Sequence, residues 1–95
     1  MAGGWVYIVT NRRNGTLYTG VTADIVRRVY EHRTGTIDGF TKRYGLKRLA
    51  WLEWHEDIVS AIHREKNVKD WPRAWKVRLI QDANPDWDDL YETLF

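Results

Sequence analysis

Glu65 is the residue whose position is hardest to explain by packing alone. After Asp57, the apolar residues Ile58, Ala61, Ile62 and Val68 recur at helical spacing, and Glu65 falls inside their stripe. A charged, unpaired carboxylate facing inward is costly, so it must be paired, protonated or bound to a cation. The ordinary explanation places it at the stripe's edge, with Arg64 nearby or Lys69 one turn on as its partner. Arg28 and His32 form a second suggestive pair. They sit four residues apart, flanking the stripe made by Ile25 and Val29, where together they can grip one anionic group. A basic helix carrying a structural histidine explains them equally simply. Tyr7 and Tyr18 add two phenols, which are either reactive hydroxyls or core rings with their oxygens at the rim.

The elements that must position these groups are readable in outline. Trp5–Thr10 is β-branched and aromatic, Asn14-Gly15 is a tight-turn signal, and Thr16–Val21 reads as the returning strand. A two-residue turn would pair Tyr7 with Thr22 and leave the two tyrosines four positions apart along the ladder. A wider loop of the same parity would bring them closer. Either way Tyr7 shares a face with Tyr18, Gly20 and Thr22. Thr22 and Asp24 offer caps for a helix over Ile25–Arg33 that stops at Gly35. Residues 34–46 read as a loop and Leu49–Trp54 as a third strand. Asp57 starts a helix running to about Lys69, and Pro72 opens a last helix that ends before Asn84-Pro85. The expected fold is a single α/β (α+β) domain over 1–95, in the order β-β-α-β-α-α. Its small, mainly antiparallel three-stranded sheet is flanked by helices, with a core at about 4–84 and an acidic segment at 85–95.

Composition sets the boundaries. An apolar fraction of 43%, with six Trp, five Tyr and two Phe, excludes a disordered chain, and zero Cys excludes disulfides and thiolate metal sites. No signal-peptide pattern and no membrane-length apolar run occur, so a cytoplasmic location away from membranes is expected. The net charge of +2 hides an asymmetry. Residues 1–80 hold all 15 Lys and Arg against 8 acids, whereas 81–95 hold 5 acids and no base. The basic body suggests a polyanionic partner. His63-Arg64-Glu65 matches half of a zinc-deaminase signature, but the cysteines that signature requires are missing. No HExxH, P-loop, GxGxxG or serine nucleophile elbow is present.

Taken together, these residues resemble the GIY-YIG nuclease superfamily over about residues 4 to 90. Trp5-Val6-Tyr7 stands in the place of its first motif and Tyr18-Thr19-Gly20 in the place of its second. Arg28 and His32 match its arginine and the His-or-Tyr one turn later, and Glu65 within Arg64-Glu65-Lys66 matches its metal-binding glutamate. Asn84 stands where many members carry a late asparagine. Gly39–Tyr44 and Asn84–Leu90 look like the small stand-alone bacterial subgroup, and the departures are Trp5 for the motif glycine and Thr19 for the motif isoleucine. The resemblance implies an endonuclease that hydrolyses phosphodiester bonds of nucleic acid, DNA first, with one Mg²⁺ or Mn²⁺. In it Tyr7 takes a proton from the attacking water and Tyr18 positions that water or the phosphate. Arg28 stabilises charge on the phosphoryl oxygens, His32 bonds within the tyrosine network and Glu65 holds the metal. A cation beside Tyr7 is expected to bring the phenol toward a useful pKa.

Two other readings compete with this one. A binding module of the same fold would use Arg12, Arg13, Arg27, Lys42, Arg43, Lys47 and Arg48 on phosphates without cutting. A dimerising interaction protein would bury Trp54, Trp71, Trp75 or Trp87 at its interface. Monomer and homodimer both fit the sequence.

Overall fold

β-Branched and aromatic residues make the sheet, and the loop between its first two strands fixes their register. In the computed structural model, which describes residues 3–37 and 39–95, β1 is Gly4–Thr10, β2 is Leu17–Thr22 and β3 is Arg48–His55. All pairing is antiparallel, in the order β2-β1-β3. The hairpin register differs from the two-residue-turn expectation. Trp5, not Tyr7, pairs with Thr22, so that Tyr7 lies opposite Gly20 and Val9 opposite Tyr18. Asn11 is the cause. Its Oδ1 accepts the Thr16 amide at 3.0 Å and Gly15 N–H donates to the Arg12 carbonyl at 2.9 Å, closing a six-residue loop over 11–16. Asn14 occupies the left-handed region inside it, with φ 57°. Parity is preserved, so Tyr7 and Tyr18 share a face as expected and stand closer than a two-residue turn would allow.

The helices are α1 Ile25–Thr34, α2 Phe40–Arg43, α3 Ile58–Asp70 and α4 Arg73–Ala83, followed by a 3₁₀ helix at Leu90–Leu94. Asp24 caps α1 through the Arg27 amide, and Gly35 ends it in the left-handed conformation. Asp57 precedes α3 without capping its backbone; its carboxylate instead faces the Ser60 hydroxyl. α2 and the 3₁₀ helix add to the expected order of elements. One face of the sheet packs Val6, Ile8, Ala50 and Trp51 against Ala61 and Val68 of α3 and Ile80 of α4. The other packs Tyr7, Val9 and Leu49 against Ile25 and Val29 of α1 and Leu46.

The acidic segment 85–95 is part of this packing rather than a tail beside it. Trp87 is 0% exposed within the first cluster, and Leu90, Tyr91 and Leu94 cover the second. Polar contacts hold the segment down. Asp89 accepts the Leu49 and Tyr91 amides, each at 3.1 Å, and pairs with Arg33, while Arg48 donates to the Trp87 carbonyl at 3.0 Å. Arg48 thus helps to hold the segment against the fold. Asn84 has a comparable role. A bulge shifts the β1–β3 register between Ile8 and Val9, leaving Ala50 outside it. Asn84 Nδ2 donates to the Ala50 carbonyl at 3.0 Å and the Asp88 carbonyl at 2.9 Å, and its Oδ1 accepts the Asp88 amide at 3.1 Å. Its amide is fully spent on backbone beside β3, at the opposite edge of the sheet from β2. We expect Asn84→Ala to cost about 2 kcal/mol, because it orphans buried backbone groups. Melting temperature should fall by roughly 10 °C, with any catalytic turnover per folded molecule unchanged, as thermal denaturation beside an assay at low temperature will show.

Candidate active site at the β2 edge

Tyr7 points off the middle strand across Gly20 of the edge strand. A Cβ on Gly20 would lie 2.5 Å from the Tyr7 ring and hydroxyl, so this glycine is what lets the phenol lie over β2. The hydroxyl ends 3.0 Å from His32 Nε2, and His32 Nδ1 is 3.1 Å from Thr41 Oγ1 of α2. All three are buried, at 0%, 4% and 5% exposure. The Tyr18 ring stands edge-on to His32, with centroids 5.9 Å apart. Lys69 of α3 lies 5.8 Å over Tyr18 and places Nζ 3.6 Å from Glu65 Oε2. The Arg28 guanidinium and the Glu65 carboxylate both lie within electrostatic reach of the Tyr7 oxygen. Tyr7, Tyr18, Arg28, His32 and Glu65, brought from four elements, thus form one neighbourhood.

Electrostatics in this neighbourhood differ from expectation at Tyr7. Burial pushes its phenol up to about 12, and the opposing pull of Arg28 does not overcome it. The phenol is therefore protonated at neutral pH and its hydrogen requires an acceptor. Burial, reinforced by Arg28, lowers His32 to about 4 against a weaker opposing effect of Glu31, so the imidazole is neutral. Because the unfolded imidazole binds its proton near pH 6.5, the unfolded state gains protons first on acidification. Stability should therefore decline as pH falls from about 6.5 to about 4, by as much as about 3 kcal/mol from this group. A His32→Gln variant should show a smaller difference in melting temperature between pH 7 and pH 4.5 than the unsubstituted chain.

Glu65 has its ordinary partner in Lys69, yet its side chain is only 13% exposed and belongs to the cluster. Among the described residues, no three His, Asp or Glu side chains gather where they could hold an ion together. That donor set does not suit a structural zinc. A single hard carboxylate does suit Mg²⁺ or Mn²⁺, which take water and phosphate oxygens for their remaining positions. A groove of about 470 Å³ opens between α1 and α3, lined by Thr22, Asp24, Arg27, Arg28, Glu31 and Ile62 among others. Arg28 is the cluster residue that lines it.

Against this geometry, a sequence profile described as the GIY-YIG catalytic domain matches residues 3–78. The chain belongs to the GIY-YIG family. A UPF0213 protein of Staphylococcus aureus is 36% identical over 78 residues, covering 82% of this chain and 94% of that one. A UPF0213 protein of Aeromonas salmonicida is 28% identical over 95 residues, covering 98% and 70%. The solution NMR structure of a UPF0213 protein from Bacillus halodurans is similar, with a TM-score of 0.52, 30% identity and 83% of each chain covered. The small single-domain relatives and the antiparallel sheet with helices agree with the expected GIY-YIG fold.

Around this candidate site, the basic residues divide by location. Arg27 lines the groove, and Lys42 and Arg43 stand exposed on α2 next to the His32 partner Thr41. Arg12 and Arg13 project from the hairpin loop, and Lys47 borders a separate depression beside Arg33 and Asp89. Of the tryptophans expected at an interface, Trp87 is in the core. Trp71 and Trp75 meet edge to face at 5.9 Å, and Trp54 tilts against Trp5 at 5.1 Å. No described helix is long and apolar enough to cross a membrane. Thr41 is the site residue that sequence reasoning missed. It lies nine residues from His32 in a stretch read as loop, with no spacing signal connecting them.

Proposed function

We propose that the chain is a divalent-metal-dependent endonuclease that hydrolyses phosphodiester bonds of nucleic acid, with DNA as substrate. The observation that carries this reading is the convergence of a buried phenol bonded to an imidazole, an arginine and a carboxylate at one edge of the sheet. Tyr7 Oη accepts a proton from the attacking water. Since its own pKa lies near 12, it does so as its phenolic proton passes to His32 Nε2, 3.0 Å away. An arriving phosphate assists, because an anion beside a neutral imidazole raises its basicity. Tyr18 positions the water or the phosphate, and Arg28 offers its guanidinium to the phosphoryl oxygens as they gain charge. Glu65 would hold Mg²⁺ or Mn²⁺, with Lys69 yielding the carboxylate. Such an ion, when bound, stabilises charge on the phosphoryl and leaving oxygens. Arg12, Arg13, Arg27, Lys42, Arg43 and Lys47 contact backbone phosphates outside the reacting centre. A role in DNA repair in the cytoplasm of a bacterium accords with this chemistry.

The test is cleavage of labelled single strands, duplexes, flaps and four-way junctions in Mg²⁺, Mn²⁺ or EDTA, with Glu65→Ala purified identically as control. Cutting that needs the metal and is lost in Glu65→Ala supports the nuclease. Salt-sensitive binding without cutting replaces it with a binding module.

A further inference from the structure

α2 is four residues long and sends one side chain inward. Phe40, Lys42 and Arg43 are exposed, while Thr41 is buried with its hydroxyl against His32 Nδ1. A position that served packing alone would be filled as well by valine, which has the same shape without the hydroxyl. The hydroxyl therefore needs a polar reason, and the hydrogen-bond chain supplies one. The phenolic hydrogen of Tyr7 is fully buried, and the acceptor within reach among the described residues is His32 Nε2. For Nε2 to accept, it must be bare, and a neutral imidazole then carries its hydrogen on Nδ1. That hydrogen in turn needs an acceptor, and Thr41 Oγ1 lies 3.1 Å from it.

We propose that Thr41 is a positioning residue that accepts the Nδ1 hydrogen of His32, fixing the tautomer and ring orientation that keep Nε2 open toward Tyr7. The logic is that of a catalytic triad, in which a third group orients the base; here that group is a neutral hydroxyl delivered by α2. The proton movements balance. The water proton goes to Tyr7 Oη and the Tyr7 proton to Nε2, leaving an imidazolium whose Nδ1–H still points at Thr41. The water's electron pair forms the new P–O bond as the bond to the leaving oxygen breaks, and that oxygen departs with its electron pair and is protonated by solvent. The groups facing His32 are Arg28 and Glu31 from α1, Tyr7 from β1, Tyr18 from β2 and Thr41 from α2. The relay rests on the proposed hydrolysis; the tautomer does not.

The test is ¹⁵N NMR of the His32 ring in the unsubstituted chain, Thr41→Val and Thr41→Ser, beside kcat and KM on whichever labelled oligonucleotide is cut in Mg²⁺. The expected result is a protonated Nδ1 and bare Nε2 in the unsubstituted chain and in Thr41→Ser, with the proton redistributed toward Nε2 in Thr41→Val. Thr41→Val should lose about tenfold to a hundredfold in kcat with KM little changed, and Thr41→Ser should restore most of it. A protonated Nε2 in the unsubstituted chain overturns the proposal whether or not Thr41→Val folds. So does a Thr41→Val protein with unaltered tautomer and kcat. If no oligonucleotide is cut, the nuclease reading fails while the NMR result still decides the role of Thr41.

Discussion

Replacing Glu65 by glutamine should lower metal-dependent cleavage by at least about a thousandfold while leaving the fold in place. The substitution keeps the shape of the side chain and removes the charge, so packing beside Val68 and Ala61 is preserved. The group that loses a partner is Lys69, which is half exposed and pairs with Glu65 one helical turn away at 3.6 Å. Pairs of that kind contribute about 0.3–0.5 kcal/mol, so thermal denaturation should differ by only a few degrees. A mostly buried carboxylate held for function rather than for stability can even give a more stable protein when neutralised. Titration calorimetry with Mn²⁺ should show the ion's heat in the unsubstituted chain and none in Glu65→Gln. Equal heats in the two proteins would remove Glu65 as the ligand, and a large loss of melting temperature would return it to a structural role.

Tyr7→Phe should reduce kcat by about 10²–10⁴ with nucleic-acid affinity nearly unchanged, since the hydroxyl is buried and does not line the groove. The variant leaves His32 Nε2 without its partner, at a cost of about 1–2 kcal/mol, so it should fold with a moderately lower melting temperature. The pH profile of the unsubstituted chain separates two ways in which Tyr7 could act. A phenolate with a pKa near 12 would make kcat/KM climb about tenfold per pH unit across the neutral and alkaline range. A protonated Tyr7 that hands its proton to neutral His32 predicts a flat profile above about pH 5, declining toward the His32 value of about 4. The hydrogen-bond geometry favours the flat profile, and kcat/KM in Mg²⁺ from pH 5 to 9 decides it.

How far the sequence could be read depended on how local each determinant is. The parity of the hairpin follows from side-chain alternation, which is why Tyr7 and Tyr18 could be placed on one face. Its register could not be read, because one hydrogen bond from the Thr16 amide to Asn11 Oδ1 outweighs the turn preference of Asn14-Gly15. Arg28, His32 and Glu65 declared themselves by chemical type within regular helical stripes. Thr41 did not, because its importance arises from a tertiary contact made by a helix too short to show a period. The acidic composition of segment 85–95 gave no sign that it packs, yet Trp87 within it is buried. One indole buried in the core outweighs the solvation of the neighbouring acids, which remain at the surface or take backbone amides.

That segment has a consequence for biosynthesis. Trp87 is the largest fully buried side chain, and Leu90, Tyr91 and Leu94 cover the opposite side of the sheet. Neither hydrophobic cluster closes until residues 87–94 have emerged from the ribosome. A nascent chain halted before them has both halves of its interior open to water and nothing to hold Arg33 at the end of α1. A stalled or prematurely terminated chain is then presented to chaperones and proteases with apolar surface exposed on both sides of the sheet.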